Sequence, residues 1–148
     1  DLPHDFSETT LMGIDQADEL LLLLAPELAS VRATVGALET LNQLQFPSDS
    51  IRLILNWVFE KRGLARKDIE KVLKHPLQLV IPFASETFVS SINLGIPPTS
   101  SAPTSPIGVL FEDMAYAISS DDDADSVPTN PSAAWVRVNE RSKQGRKR

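Results

Sequence analysis

The stretch that decides the fold is ELLLLLAPELASVRATVGALETLNQLQFPSDSIRLILN, residues 19–56. Its first apolar run, residues 19–25, stops at Pro26, and so short a run favours a buried strand over a helix. A helical repeat follows from about residue 29 to residue 45, and a second apolar run, residues 51–55, ends in Asn56. Strand, helix and strand in this order predict a βαβ unit with a parallel sheet that is covered on both faces. The apolar stripe of the helix comprises Leu28, Val31, Val35, Leu38, Leu41 and Leu44.

The same alternation extends to both sides of this unit. A helix is predicted over residues 7–17, where Ser7 is a good N-cap, and another over residues 67–73. A strand is predicted over residues 77–81, and a helix from Ser85 to about residue 93. Ser105 and the following proline open a last helix. Each of the last three helices has side chains predicted to point inward. They are Ile69, Val72 and Leu73 in the helix of residues 67–73, Phe88, Val89 and Ile92 in the helix that starts at Ser85, and Ile107, Leu110, Phe111, Met114 and Ile118 in the last helix.

The composition changes near residue 119. Residues 1–119 carry 15 acidic and 8 basic side chains, whereas residues 120–148 carry an acidic run and then a basic end. Apolar side chains are sparse in this last part, and such composition is typical of disorder. The sequence therefore predicts one α/β domain over residues 1–118 and a disordered, acidic-then-basic tail over residues 119–148.

Several kinds of site are excluded by composition. The sequence has no cysteine, so it forms no disulfide and no cysteine-ligated metal centre. Its two histidines, His4 and His75, do not have the spacing of a zinc site. A nucleic-acid-binding domain usually shows a basic patch, and the sequence predicts none before the tail. Asp5 and Glu8 could act as an acid–base pair, although no other residue supports that interpretation.

Five features occur in an order that resembles the carboxyl-terminal half of the MinD/ParA family of P-loop ATPases. They are Asp1-Leu2-Pro3 after a presumed strand, the apolar run that ends in Ala25-Pro26-Glu27, the strand that ends in Leu55-Asn56, the segment Leu79-Val80-Ile81-Pro82-Phe83, and Ser105-Pro106. The closest similarity is to the CpaE-like proteins of Tad pilus assembly. The resemblance implies a three-layer, mostly parallel doubly wound sheet of the P-loop NTPase type, here incomplete at its N-terminus.

The resemblance also assigns roles to individual residues. Asp1 matches the Walker B aspartate, which holds Mg²⁺ through a water molecule, and Pro3 matches the switch that senses the γ-phosphate. Asn56 matches the residue that hydrogen-bonds adenine, whereas Pro82 and Phe83 match the loop that packs against the base. Glu27 falls near the face where two subunits dimerise around nucleotide. ATP and Mg²⁺ are the implied cofactors of the full-length protein.

One required motif is missing from the sequence. A P-loop reads G-x-x-x-x-G-K-[ST], because its backbone amides and its lysine bind the phosphates, and no Gly-Lys pair occurs here. In the family this loop precedes the Walker B strand, so we expect the phosphate-binding half to lie upstream of Asp1. The chain alone is then expected neither to hydrolyse ATP nor to bind it tightly.

The functional expectation is a portion of a positioning ATPase that couples ATP hydrolysis to homodimerisation and acts on a pilus-assembly or other cargo protein. The alternative is a non-enzymatic α/β interaction module. The resemblance implies a cytoplasmic protein, or a peripheral one at the inner membrane or cell pole, and no sequence-specific nucleic-acid binding. The basic end of the tail supports at most a weak contact with an anionic membrane.

Overall fold

The computed structural model describes residues 2–3, 5–119, 135–136 and 139–140. The chain divides into two compact units, Asp1–Phe83 and Ala84–Arg148. The elements of the first unit are α1 (Glu8–Asp15), β1 (Leu20–Leu24), α2 (Leu28–Gln43), β2 (Ile51–Asn56), α3 (Arg66–Leu73) and β3 (Leu79–Ile81). A single 3₁₀ turn, Ser48–Ser50, precedes β2. The second unit contains α4 (Ser85–Leu94), α5 (Pro98–Ser101) and α6 (Pro106–Ile118).

The three strands form a parallel sheet in the order β1-β2-β3. Leu20 pairs with Ile51 at the start of β1, and Ile54 pairs with Leu79 at the start of β3. Helices connect the strands, because a parallel pair needs a crossover of a dozen or more residues. The predicted α/β class with a parallel sheet is confirmed.

The strand β1 is less covered than its sequence predicts. The five leucines of β1 indicate a strand buried on both faces, but only Leu24 is fully buried, and Leu23 is 55% exposed. Within the described residues β1 has a hydrogen-bonded neighbour on one side alone, which is β2. The central strand β2 is more buried than β1, since Leu53 and Leu55 are almost completely buried.

The core of the first unit lies where α2 and α3 contact the sheet. Val31 and Leu41 of α2 and Ile69 and Leu73 of α3 are all buried there. The predicted inward position of Val72 is wrong, because this side chain is 57% exposed. With only eight residues, α3 has room for one narrow buried stripe, which Ile69 and Leu73 fill.

Near the start of the sheet, an ion pair joins β2 to the residue that precedes β1. Arg52 donates from Nη2 and Nε to Oε1 of Glu19, at 2.6 and 3.2 Å. These hydrogen bonds lower the pKa of the Glu19 carboxyl below its usual value. The second carboxylate oxygen, Oε2, is buried and accepts no hydrogen bond within the described part of the chain.

The second unit is helical in the residues that the structure describes. Ser105 caps α6 as expected, since its Oγ accepts from the backbone N–H of Gly108 at 3.1 Å. Ser85 does not cap α4, because Ala84 occupies the N-cap position and no side chain caps this helix. The sequence predicts a Ser/Thr/Pro loop over residues 99–104, whereas Pro98–Ser101 form the short helix α5.

The apolar positions predicted for α4 and α6 are correct only in part. The rings of Phe88 and Phe111 contact each other edge to face, with 6.2 Å between centroids, and Ile107 is buried. By contrast, Val89 is 55% and Ile92 is 78% exposed, so these two side chains do not point inward as predicted. The predicted disordered tail lies mostly outside the described residues.

Candidate functional site

The carboxyl ends of the three strands form one edge, which we call the carboxyl edge. It comprises residues 25–27 after β1, residues 56–57 after β2 and residues 82–83 after β3. Asn56 is paired in register with Ile81, and the N–H of Trp57 donates to the carbonyl of Ile81 at 2.9 Å. This pairing places Asn56 beside the point where the chain leaves β3 for Pro82 and Phe83. The three residues expected to contact adenine are thus neighbours at one edge.

Their side chains have the chemistry that a purine requires. Asn56 is partly exposed, and its amide makes no hydrogen bond within the described residues. A carboxamide offers both a donor and an acceptor, which matches the polar edge of adenine. Pro82 is exposed and Phe83 is 41% exposed, so an aromatic face and a proline ring remain available for packing.

A loop of residues 57–65 folds back over the turn that follows β1. Leu64 donates its N–H to the carbonyl of Pro26 at 2.8 Å. A Cβ on Gly63 would overlap Trp57 Cζ3 and would lie 2.8 Å from Cβ and Cγ of Pro26. Trp57 and Pro26 therefore close around Gly63, and only glycine fits between them. The sequence predicts a loop of mixed charge over residues 57–66, and an isolated glycine within it does not by itself reveal this packing.

Glu27 lies on the same edge, at the N-cap position of α2. Its side chain is exposed and makes no capping hydrogen bond. The turn before it is held instead by Ser30, whose Oγ accepts from the N–H of Ala25 at 2.9 Å. The dimer-face role expected for Glu27 stays a prediction.

The segment before α1 is ordered by Asp5. Its Oδ1 accepts from the N–H of Ser7 at 3.1 Å and from Oγ1 of Thr10 at 2.9 Å. These hydrogen bonds lower the pKa of the Asp5 carboxyl, with the backbone N–H of Ser7 as the main cause. Ser7 does occupy the N-cap position, but its hydroxyl makes no capping bond. The capping function predicted for Ser7 is therefore wrong, and Asp5 serves as the acceptor at this helix start.

Asp5 is a poor candidate for acid–base chemistry, because its carboxylate is engaged in these local bonds and its lowered pKa keeps it ionised. Pro3 is exposed. Asp1, the expected magnesium-binding residue, and His4 lie outside the described residues. Within the described ranges no three metal-binding side chains come together. None of the helices described there has both the length and the hydropathy needed to cross a bilayer.

The residues present fit one part of a nucleotide. The carboxyl edge offers Asn56, Pro82 and Phe83 to a base, whereas the sequence contains no glycine-rich loop with a lysine to bind phosphates. The carboxyl edge thus places an amide, a proline ring and an aromatic ring at one end of the sheet.

The similarity of the chain to known proteins is one of fold. No protein-family model matches the chain, and no curated protein sequence matches it. Several solved structures are similar to the chain. A ParA family ATPase from Chlorobium tepidum TLS has a TM-score of 0.65 at 26% identity, over 74% of this chain and 45% of its own. The chain has a MinD/ParA-like fold.

MinD of Aquifex aeolicus shows the same likeness at 20% identity. In its complex with MinC the TM-score is 0.64, over 84% of this chain and 50% of MinD. For the structure of the cell division protein MinD by itself the TM-score is 0.62, and the match covers 84% of this chain and 52% of that MinD chain. The chain thus spans about half the length of the structures it matches. The predicted P-loop NTPase type of fold is confirmed, and the resemblance to the MinD/ParA family is confirmed at the level of fold.

Proposed function

We propose that this chain supplies the adenine side of the nucleotide site in a positioning ATPase of the MinD/ParA type. One observation carries the proposal: in a MinD/ParA-like fold, the pairing of β2 with β3 places Asn56 beside the segment that begins with Pro82. The similar ParA family protein is named an ATPase, which supports the same class of activity here.

Each residue of the carboxyl edge has a defined task in this proposal. The amide of Asn56 hydrogen-bonds the polar edge of adenine, and the ring of Phe83 stacks on its face, next to Pro82. Base–aromatic stacking contributes about 1–3 kcal/mol in single-stranded nucleic-acid complexes. Gly63 allows the loop of residues 57–65 to pack against Pro26 and Trp57.

The phosphate side requires residues that this sequence does not contain. A P-loop binds the β- and γ-phosphates through backbone amides and a lysine. We therefore propose that the chain does not hydrolyse ATP by itself, and that it corresponds to the part of such an ATPase that follows the P-loop. ATP and Mg²⁺ would supply the phosphoryl group and its charge neutralisation. Asp1 is the proposed magnesium-binding residue, Pro3 belongs to the proposed nucleotide switch, and Glu27 lies at the proposed dimer face.

The cellular role follows from the resemblance to CpaE-like proteins. The proposed partners are a second copy of the protein and a pilus-assembly or other cargo protein. A MinD structure that includes a second protein, MinC, supports a protein partner in general terms. The proposed location is the cytoplasm or, as the alternative, the periphery of the inner membrane or the cell pole.

The experiment is a titration of the ¹⁵N-labelled chain with adenosine and, separately, with cytidine. Binding is measured by the chemical shifts of the backbone amides. Without phosphate contacts we expect weak, about millimolar binding, which corresponds to roughly −4 kcal/mol. Adenosine should shift the amides of Asn56, Trp57 and Phe83, and cytidine should not. Equal or absent shifts would contradict the proposal and favour the alternative, a non-enzymatic α/β interaction module.

A further inference from the structure

A surface cavity lies between α2 and α3, at the end of the sheet where β2 begins. Its volume is about 400 Å³, which is within the usual range for small-molecule sites in proteins. Its walls are formed by α2, by the segment that leads into β2, and by the C-terminal end of α3 with the residues that follow it. We call it the α2–α3 cavity. The apolar side chains that line it are Val35, Leu38, Phe46, Ile51, Val72 and Leu73.

The walls of the α2–α3 cavity include apolar side chains that the core leaves uncovered. Val72 is 57% exposed and lines the cavity beside Leu73, which is buried. Val35, Leu38 and Phe46 are only partly buried, although they pack against the core, and they line the cavity as well. A ligand seated here would remove apolar surface from water, which is favourable.

The turn at the end of α3 brings Lys74 and His75 to the cavity. Lys74 is the C-cap residue of α3 and has a left-handed backbone, with φ 54°. Its N–H donates to the carbonyl of Glu70 at 2.9 Å, so the helix ends there and the chain turns. Lys74 is exposed and His75 is partly buried, and both line the cavity. The exposed Glu39 lines the same cavity from α2.

The charges of Glu39 and Lys74 are not paired with each other. Neither side chain forms a hydrogen bond or an ion pair with any residue that the structure describes. A carboxylate and an ammonium group thus line one apolar cavity from two different elements, too far apart for a direct ion pair. A ligand with only a carboxylate would be repelled by Glu39, and one with only an amine would be repelled by Lys74. The arrangement is complementary to a molecule that carries both charges and an apolar body.

We propose that the α2–α3 cavity binds a small zwitterion with an apolar side chain, that is, an apolar α-amino acid. The ammonium group of the ligand bonds to the carboxylate of Glu39, and its carboxylate bonds to the ammonium group of Lys74. Its side chain contacts Val72 and the rest of the apolar wall. Charge complementarity within an apolar cavity carries the proposal. The cavity lies where β2 begins, at Ile51, whereas Asn56 ends that strand, so the inference is independent of the proposed nucleotide site.

The test is a titration of the ¹⁵N-labelled chain with four compounds, in which binding is measured by the amide shifts of Leu38, Val72 and His75. Phenylalanine carries both charges and an apolar ring. By contrast, 3-phenylpropanoate lacks the ammonium group, phenethylamine lacks the carboxylate, and glycine lacks the ring. Phenylalanine should bind about two- to fivefold more tightly than either singly charged compound, as expected of one exposed ion pair. Glycine should cause no shifts.

Two variants assign the charges of the ligand to their partners. Glu39→Gln should weaken the binding of phenylalanine about two- to fivefold but should not weaken that of 3-phenylpropanoate, which has no ammonium group to lose a partner. Lys74→Gln should weaken the binding of phenylalanine and 3-phenylpropanoate but not that of phenethylamine. Glu86→Gln and Lys67→Gln are the matched controls, because these exposed residues do not line the cavity, and both should leave every dissociation constant unchanged.

The opposite results would overturn the proposal. If phenylalanine binds no more tightly than 3-phenylpropanoate or phenethylamine, the cavity does not recognise two charges. If none of the compounds shifts the amides of Leu38, Val72 and His75, the cavity binds no such ligand. Equal losses in Glu39→Gln and Glu86→Gln, or in Lys74→Gln and Lys67→Gln, would also contradict it. Circular dichroism checks that each variant is folded, and if one is not, the comparison of the four compounds on the parent chain decides the question.

Discussion

Asn56 lies in register with Ile81, and the N–H that follows Asn56 donates to the carbonyl of Ile81 at 2.9 Å. This one relationship joins two separate segments of the sequence, residues 51–56 and residues 79–83, at the carboxyl edge of the sheet. Ligands of open α/β folds bind at that edge. The proposal that Asn56 and Phe83 contact a base rests on this position of both residues at the carboxyl edge.

The contribution of the aromatic ring can be isolated at Phe83. Phe83→Ala should weaken adenosine binding by about 1–3 kcal/mol if the ring stacks on the base. Stability should change little, because Phe83 is 41% exposed. Phe59→Ala is the matched control, since Phe59 is 38% exposed and belongs to the loop of residues 57–65. Titration followed by amide shifts measures both, and equal losses would argue against stacking by Phe83.

The close packing at Gly63 makes a prediction about stability. Gly63→Ala introduces a Cβ that overlaps Trp57 and lies 2.8 Å from Pro26, so we expect a loss of about 1–3 kcal/mol from overpacking. Gly36→Ala is a control for which we expect the opposite sign, because nothing lies within 4 Å of the position of a Cβ on Gly36 in α2. Alanine there should add about 0.5–1 kcal/mol. Urea unfolding measures both variants, and a stable Gly63→Ala protein would show that the loop does not pack on Pro26.

The N-caps of the second unit differ in a testable way. Ser105 accepts a hydrogen bond from Gly108, so Ser105→Ala should cost about 1 kcal/mol of unfolding free energy. Ser85 makes no such bond, because Ala84 is the N-cap of α4. Ser85→Ala should therefore stay within about 0.5 kcal/mol of the parent. Thermal unfolding distinguishes the two, and a larger effect at Ser85 would contradict the observed helix start.

Stability should fall in acid partly through Glu19. The hydrogen bonds from Arg52 lower its pKa in the folded state below the ordinary value of 4.5. A lowered folded pKa stabilises the protein above the unfolded value, and that stabilisation is lost as pH falls through the folded pKa. Glu19→Gln should therefore make the stability less dependent on pH below about 4.5, as urea midpoints at several pH values would show.

The control for this measurement is Glu39→Gln, since Glu39 is an exposed carboxylate of α2 that forms no ion pair with a described residue. Its pH profile should follow that of the parent. If Glu19→Gln and Glu39→Gln have the same profile, the bond between Glu19 and Arg52 does not contribute to acid stability.

The repeating apolar patterns predict most of the fold. The strands around Leu22 and Leu53 and the helix around Val35 follow directly from period and length, because burial imposes these patterns on the sequence. The same patterns do not predict that the side chains of Leu23, Val72 and Ile92 are exposed. Periodicity identifies an apolar face, but which part of that face is covered depends on the neighbouring elements.

For the candidate site, too, the sequence predicts one part and only the structure shows the rest. Asn56, Pro82 and Phe83 are assigned by the resemblance to the MinD/ParA family, which matches them to positions that contact the base. Their pairing through Ile81 becomes visible only in the register. The closure of Trp57 and Pro26 around Gly63 depends on a loop conformation, and no sequence period reports that. The hydrogen bonds that Asp5 accepts before α1, and the missing capping bond of Ser7, likewise depend on the geometry of one turn.

The most direct test of the adenine site compares Asn56→Ala with Asn42→Ala, an exposed asparagine of α2, in the adenosine titration. If Asn56 bonds the base, Asn56→Ala should raise the dissociation constant about tenfold, as the loss of a hydrogen bond of about 1.4 kcal/mol would. Asn42→Ala should leave that constant unchanged. A dissociation constant that is the same in the parent, Asn56→Ala and Asn42→Ala would contradict the assignment of this edge to adenine.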